Sequence, residues 1–307
     1  MTVGRFAPTP SGKLHVGNLF SFLIAYLVAR QQGGSVLMRI EDLDPSRSKQ
    51  CYIDAIFRNL DALGFEWDNE PIYQSNRTEA YEEAFKQLQK QGLIYPCFCT
   101  RADLHSANAP HYGEETIYAG TCRALTEQQR IAKESVRNPA MRIIVPSTPI
   151  SFVDRFQGTR TYNLEECSGD FIVRRSDKVF AYQLAVVVDD AWMGVTSIVR
   201  GYDLITSTPR QMFLQQRLGL ETPNYGHVPL IVDSAGKRLA KRDKALDIDF
   251  LLNEKNVRPE RLLGKLAYST GLIADDDAVT LDELVKDVDL SCLEGKMSIS
   301  LQNDTII

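Results

Sequence analysis

With 307 residues, 44% hydrophobic and 24% charged, the chain is long enough for about two compact units or one elaborated domain, and its composition excludes a disordered polymer. A formal charge of −5 excludes a surface coated in basic residues for non-specific nucleic-acid binding, although a local basic face can coexist with it. The longest apolar run, residues 19–29, falls well short of the ~20 residues that cross a bilayer, the N-terminus carries no leader pattern, and six cysteines in such a chain point to reduced thiols or a metal site; a cytoplasmic monomer is expected.

Residues 3–7 read as a short strand, broken by Pro8, Pro10 and Gly12. The apolar segment 18–32 reads as a buried helix that Gly33-Gly34 stops. Residues 35–40 are a continuous apolar run of strand length, as expected for a strand covered on both faces, so the chain opens with a βαβ unit. Helical periodicity returns at 52–63 and 78–91, with Gly92 as a stop signal. From about residue 95 the texture changes to cysteines, scattered His, Pro and Gly, a polar helical stretch at 126–136, and β-like runs at 141–145 and 171–174. This reads as an insertion. Alternation then resumes, with 181–191 (AYQLAVVVDDA) expected as a buried strand, 197–201 as another and 208–218 as a helix. Beyond residue 245, helical segments at 247–253, 258–269 and 281–288 dominate. The expected divisions are 1–95, 96–170, 171–245 and 246–307.

Two segments carry chemistry. Pro8-Thr9-Pro10-Ser11-Gly12-Lys13-Leu14-His15-Val16-Gly17-Asn18 joins the first strand to the first long helix. A helix N-terminus offers unpaired N–H groups to phosphates, and glycine lets the backbone approach them. Read alone, the segment is equally a turn followed by a surface histidine. Asp233-Ser234-Ala235-Gly236-Lys237-Arg238-Leu239-Ala240-Lys241-Arg242 is a basic loop, which alone is equally a solvated one. Together they resemble class I aminoacyl-tRNA synthetases of the glutamyl group. His15-Val16-Gly17-Asn18 looks like the H-x-G-N/T form of the first signature, and Arg238-Leu239-Ala240-Lys241-Arg242 like the K-L-S-K-R form of the second, with Arg238 for the first lysine and Ala240 for the serine. Lys296-Met297-Ser298-Ile299-Ser300 also spells most of that second motif, but isoleucine replaces its second lysine, and it is set aside as coincidence.

The resemblance covers nearly the whole chain. It implies an α/β fold: a Rossmann-like class I synthetase catalytic domain with an inserted zinc-bearing α+β subdomain and a small C-terminal helical appendage. It also implies ATP-binding by Pro8, Gly12, His15, Gly17, Asn18, Arg238 and Lys241, with His15 and Lys241 catalytic and Mg²⁺ accompanying ATP. Arg5, Ala7 and Thr9 match the family's R-F/I-A-P-S/T start; Glu41 lies in Arg39-Ile40-Glu41-Asp42-Leu43-Asp44; Tyr182 and Arg200 match Y-x-L-A and V-R-G. These six are the implied glutamate-binding residues, and Arg5, Glu41 and Arg200 supply charges complementary to an amino acid with a second carboxylate. Taken singly, each charge is as readily a structural ion pair. Gln183 and Val186 depart from the His and Asn typical of full-length glutamyl synthetases.

Cys97-Phe98-Cys99 and Tyr118-Ala119-Gly120-Thr121-Cys122 resemble the family's small zinc motif, which implies Cys97, Cys99, Tyr118 and Cys122 as ligands. Buried free cysteines remain the alternative, and His105 and His111 could substitute as ligands. The stretch beyond the lysine loop is too short for a large anticodon-binding portion. That shortness resembles a branch of the family that modifies RNA. It implies activation of L-glutamate by ATP and transfer to a ring hydroxyl of queuosine in the anticodon loop of tRNA(Asp). Charging of a tRNA 3′ end, or an inactive paralogue acting as an interaction module, are the alternatives.

Overall fold

The computed structural model describes residues 1–100, 103, 117–234, 236 and 247–300. Strand β1 (Val3–Phe6) pairs in parallel with β2 (Ser35–Ile40), and the crossover between them is helix α1 (Val16–Arg30). α1 is apolar on nearly every face, with Leu19, Phe20, Leu23, Ile24, Leu27 and Val28 all buried; such a helix is stable only when other elements cover it all round. Helix α2 (Gln50–Ala62) leads to β3 (Ile72–Tyr73), which pairs in parallel with the far edge of β2, and then to α3 (Thr78–Lys90).

Next come β4 (Ile94–Cys97), the polar α4 (Glu127–Glu134), β5 (Ala140–Ile143), the hairpin β6 (Ile150–Asp154) and β7 (Gly158–Tyr162), and β8 (Phe171–Arg174). β4, β5 and β8 make a small antiparallel sheet that carries the cysteines. The hairpin goes elsewhere. β6 pairs with a strand of the second half at Asp154 opposite Tyr225, so residues 150–162 lie in the second sheet although they fall within the expected insertion.

One expectation is overturned at residues 181–191, where the chain forms helix α5 (Tyr182–Trp192) in place of a strand. A continuous apolar run fits either state. The two adjacent aspartates decide it: Asp189 and Asp190 are both buried, and each meets an arginine, Arg77 Nε at 2.6 Å and Arg39 Nη1 at 2.5 Å respectively. A strand would send neighbouring side chains to opposite faces, whereas a helix lets both turn inward.

β9 (Ser197–Gly201) runs beside β1, where Thr196 donates its N–H to Val3 O at 3.0 Å. Helix α6 (Ser207–Leu218) separates β9 from β10 (Asn224–Val228), and these two strands pair in parallel with Arg200 opposite His227. After β11 (Leu230–Val232), the helix expected at 247–253 is a short π-helical turn, Phe250–Glu254, followed by α7 (Pro259–Thr270) and α8 (Leu281–Asp287). Leu262, Leu266, Leu281 and Leu284 join Phe6, Leu23, Val36 and Ile40 in one hydrophobic cluster, so the C-terminal helices pack on the core of the first half. At Gly264 the approach is close enough that a β-carbon would collide with Asp277 O. Finally β12 (Ser298–Ser300), within the segment set aside as a coincidental motif, pairs with β11. Among the described residues no helix is long and apolar enough to cross a membrane.

Candidate active site

Loops leaving β1, β2, β9 and β10 meet above the N-terminus of α1 and enclose a cleft of about 370 Å³. A crevice beyond the ends of parallel strands is where an open α/β sheet binds ligands. Its lining includes all the expected ATP and glutamate residues that are described: Arg5, Ala7, Pro8, Thr9, Gly12, His15, Gly17, Asn18, Glu41, Tyr182 and Arg200. Arg238 and Lys241 lie outside the described residues. The described chain on either side of them reaches the cleft, since Ile231 lines it and Asp247 bridges to His15, with Lys13 Nζ 2.8 Å from Asp247 Oδ2.

His15 occupies the N-cap of α1 in an extended conformation, and its N–H donates to Asn18 Oδ1 at 3.4 Å. Gly17 leaves the ring room, because a β-carbon there would sit 3.2 Å from the imidazole and press it aside by a few tenths of an ångström. The result is a helix N-terminus whose positive end opens onto the cleft, a site suited to phosphate.

At the other end stand two buried arginines and a carboxylate. Arg5 donates from Nη1 to Val199 O at 3.1 Å and has Nε 3.6 Å from Asp190. Glu41 is tied to Arg39 at 3.1 Å and accepts from Thr9 Oγ1 at 3.4 Å. Burial pushes the Glu41 carboxyl above its ordinary range, against the pull of Arg39. Arg200 is surrounded by neutral partners: Nε donates to His227 Nε2 at 3.0 Å, Nη1 to Gln211 Oε1 at 2.8 Å and Tyr182 OH at 3.5 Å, and Nη2 to Thr208 Oγ1 at 2.9 Å and Leu204 O at 3.3 Å. Among the described residues no carboxylate forms an ion pair with it. A buried guanidinium so placed is complementary to an anion that the cleft would receive.

Two members of this assembly carry no local sequence signal. His227 and Asp154 are fully buried, with His227 Nδ1 2.5 Å from Asp154 Oδ2. Burial lowers the His227 pKa despite Asp154, whereas hydrogen bonds from His227 and backbone N–H groups hold Asp154 below the usual carboxylate range against its own burial. An apolar strand flanking a lone histidine, Tyr225 to Val228, was the only available hint.

The cysteine site assembles from the end of β4 and the stretch that follows it, where Tyr118 bridges to Gly169 just ahead of β8. Cys97, Cys99 and Cys122 bring their sulfurs within 4.8 Å of one another, and Tyr118 OH lies 3.4 Å from Cys97 Sγ and 4.0 Å from Cys99 Sγ. Tetrahedral ligands at Zn–S ~2.3 Å stand ~3.8 Å apart, so this donor set fits zinc in both chemistry and spacing. Burial and the neighbouring thiols push Cys99 up to about 12, a proton that a bound cation would displace. Arg142 Nε donates to Cys97 Sγ at 3.2 Å while its guanidinium lies 3.8 Å from the centre of the Tyr118 ring. That positive charge offsets thiolates. Cys122 N–H also donates to Tyr118 OH at 2.8 Å. His105 and His111 lie outside the described residues.

A family model described as class I tRNA synthetases (E and Q), catalytic domain, matches residues 1–302. A Nitratidesulfovibrio vulgaris protein named glutamyl-Q tRNA(Asp) synthetase is 46% identical over 286 residues, 90% of this chain and 88% of its own. A protein of the same name from Symbiobacterium thermophilum is 43% identical over 303 residues, 95% of this chain and 93% of its own. In fold, the chain superposes with a TM-score of 0.82 on a glutamate-tRNA synthetase from Elizabethkingia anophelis, at 24% identity, covering 99% of this chain and 69% of that one.

Proposed function

This chain belongs to the class I tRNA synthetases (E and Q), and from that premise we propose that it activates L-glutamate with ATP and passes the glutamyl group to queuosine in the anticodon loop of tRNA(Asp). The observation that carries the first step is one cleft holding a helix N-terminus at one end and, at the other, Arg200 buried among neutral partners beside Arg5 and Glu41. Arg200 and Arg5 receive the two carboxylates of glutamate, and Glu41, with Tyr182, Thr9 and Ala7, receives the ammonium end. The amino acid's reacting carboxylate is already ionised, so attack on the α-phosphorus needs no general base. Positioning and charge stabilisation carry the acceleration.

ATP lies over Pro8, Gly12, Gly17 and Asn18, with His15 donating to its phosphates. Arg238 and Lys241 supply positive charge as pyrophosphate departs, and Mg²⁺, as part of the ATP substrate, would offset phosphate charge. Cys97, Cys99, Cys122 and Tyr118 would hold zinc, whose part would be structural, away from the cleft. In the second step a cyclopentenediol hydroxyl of queuosine attacks the mixed anhydride and AMP leaves.

The test has two arms. Glutamate-dependent exchange of pyrophosphate into ATP, without tRNA, is expected; its failure rejects the activation step. Labelled glutamate is then expected on tRNA(Asp) containing queuosine and absent from tRNA(Asp) lacking it. Equal labelling of both, or labelling of tRNA(Glu), overturns the modification reading in favour of 3′-end charging.

A further inference from the structure

We infer that Asp154 and His227 are positioning residues for Arg200: they fix the one imidazole tautomer that can accept a hydrogen bond from Arg200 Nε, and so hold the guanidinium ready for a ligand carboxylate. The inference rests on the reading of Arg200 as a glutamate-binding arginine.

The tautomer is dictated from both ends. Asp154 Oδ1 accepts three backbone N–H bonds at 3.0 Å, from Phe156, Gln157 and His227, which anchors the carboxylate and leaves Oδ2 facing His227 Nδ1. An ionised carboxylate only accepts, so Nδ1 must carry the proton. Arginine only donates, so Nε2 must be bare where Arg200 Nε meets it at 3.0 Å. An imidazolium would set an N–H against an N–H and a cation against a cation. The Tyr225 ring lies parallel to the imidazole, 9° apart in plane with centroids 6.3 Å apart, and closes the pocket from another side. Asp154 sits on β6, His227 on β10 and Arg200 on β9, three adjacent strands, so the relay runs across the sheet and ends in the cleft. It also gives Arg200 a counter-charge through one intervening ring, and the Nη1 bond to Tyr182 OH in the cleft lining, at 3.5 Å the longest of its five, is the one a ligand carboxylate would replace.

Asp154→Asn tests this without removing an atom. The side-chain oxygen of asparagine still accepts the three backbone bonds, but its amide now donates toward Nδ1 and drives the imidazole proton to Nε2, against Arg200. The expected result is a KM for glutamate in pyrophosphate exchange raised about 10- to 100-fold, the loss of one hydrogen bond to a charged group, with the KM for ATP nearly unchanged; the buried N–H against N–H also lowers the unfolding midpoint, so the split between the two KM values carries the test. The ¹⁵N–¹H spectrum of the imidazole should move from the Nδ1-protonated to the Nε2-protonated pattern. His227→Asn, which keeps a donor toward Asp154 but loses the acceptor, should raise the glutamate KM similarly, and His227→Gln, whose amide reaches the Nε2 position, should recover part of it. An unchanged glutamate KM in Asp154→Asn, alongside a large rise in Arg200→Ala, overturns the relay while sparing the reading of Arg200. An unchanged KM in Arg200→Ala overturns that reading itself.

Discussion

Arg39 on β2 and Arg200 on β9 are both nearly inaccessible, 0% and 5% exposed, yet their surroundings are opposite. Arg39 is clasped by two carboxylates, Asp190 at 2.5 Å and Glu41 at 3.1 Å, which hold its pKa above the ordinary value in spite of burial. Arg200 meets only neutral oxygens and one imidazole nitrogen. The difference separates two uses of a buried charge. Arg39 is neutralised within the fold and ties β2 to α5. Arg200 is held rigidly by neutral partners and reaches a carboxylate only through the His227 ring, which suits the ligand-binding part proposed for it above.

The largest effect should come from breaking the neutralised pair. Arg39→Ala strands Asp190 and Glu41 without their cation and is expected to cost about 3–5 kcal/mol of stability in urea unfolding. Arg200→Ala removes a group whose partners are neutral and should cost about 1–2 kcal/mol in the same measurement. Equal losses would erase the distinction.

The cysteine cluster sharpens the contrast from the other side, since Arg142 meets a thiol and a phenol ring at a donor set suited to a cation. Chelation of the metal is expected to produce an early, separate thermal transition and to cost a few kcal/mol, because the small cluster of Tyr95, Cys97, Phe98, Tyr118 and Cys122 is too slight to order the cysteine-bearing loops alone. A single unshifted transition after full removal of zinc would show that packing suffices.

The smallest effect concerns pH. His227 has a folded pKa below its unfolded value of 6.5, so the unfolded chain binds more protons as pH falls through about 6.5 and stability declines there. Urea unfolding at pH 7.5 and pH 5.5 should show that decline, and His227→Gln should remove it. A decline that persists in the variant belongs to other groups.

The parts of this fold legible in the sequence were those written locally. Pro8, Pro10, Gly12 and Gly33-Gly34 punctuate β1, α1 and β2 wherever the backbone must turn, and the resemblance of the cysteine segments to a small zinc motif implies a cluster in which the structure does bring Cys97, Cys99 and Cys122 together, with Tyr118 beside them. Tyr182–Trp192 was misread because valine and leucine runs suit either a covered strand or a covered helix, and only the partners Arg39 and Arg77 select between them. Asp154 and His227 were invisible for a related reason. Each is one polar residue in a short β segment, and their pairing exists only once β6 joins β10. Arg200 could be picked out by its motif, but the neutrality of its surroundings could not.

β12, the last described strand, holds a segment that lies well before it in the chain. Ile299 sits opposite Ile231, and Ser300 Oγ donates to Asp233 O at 3.1 Å, so this short ribbon clamps the strand that leads toward the lysine-bearing segment. Trimming or a bulky fusion at this edge would loosen the root of that segment, with no change to any residue of the α1 N-terminus or of β1, β2 and β9.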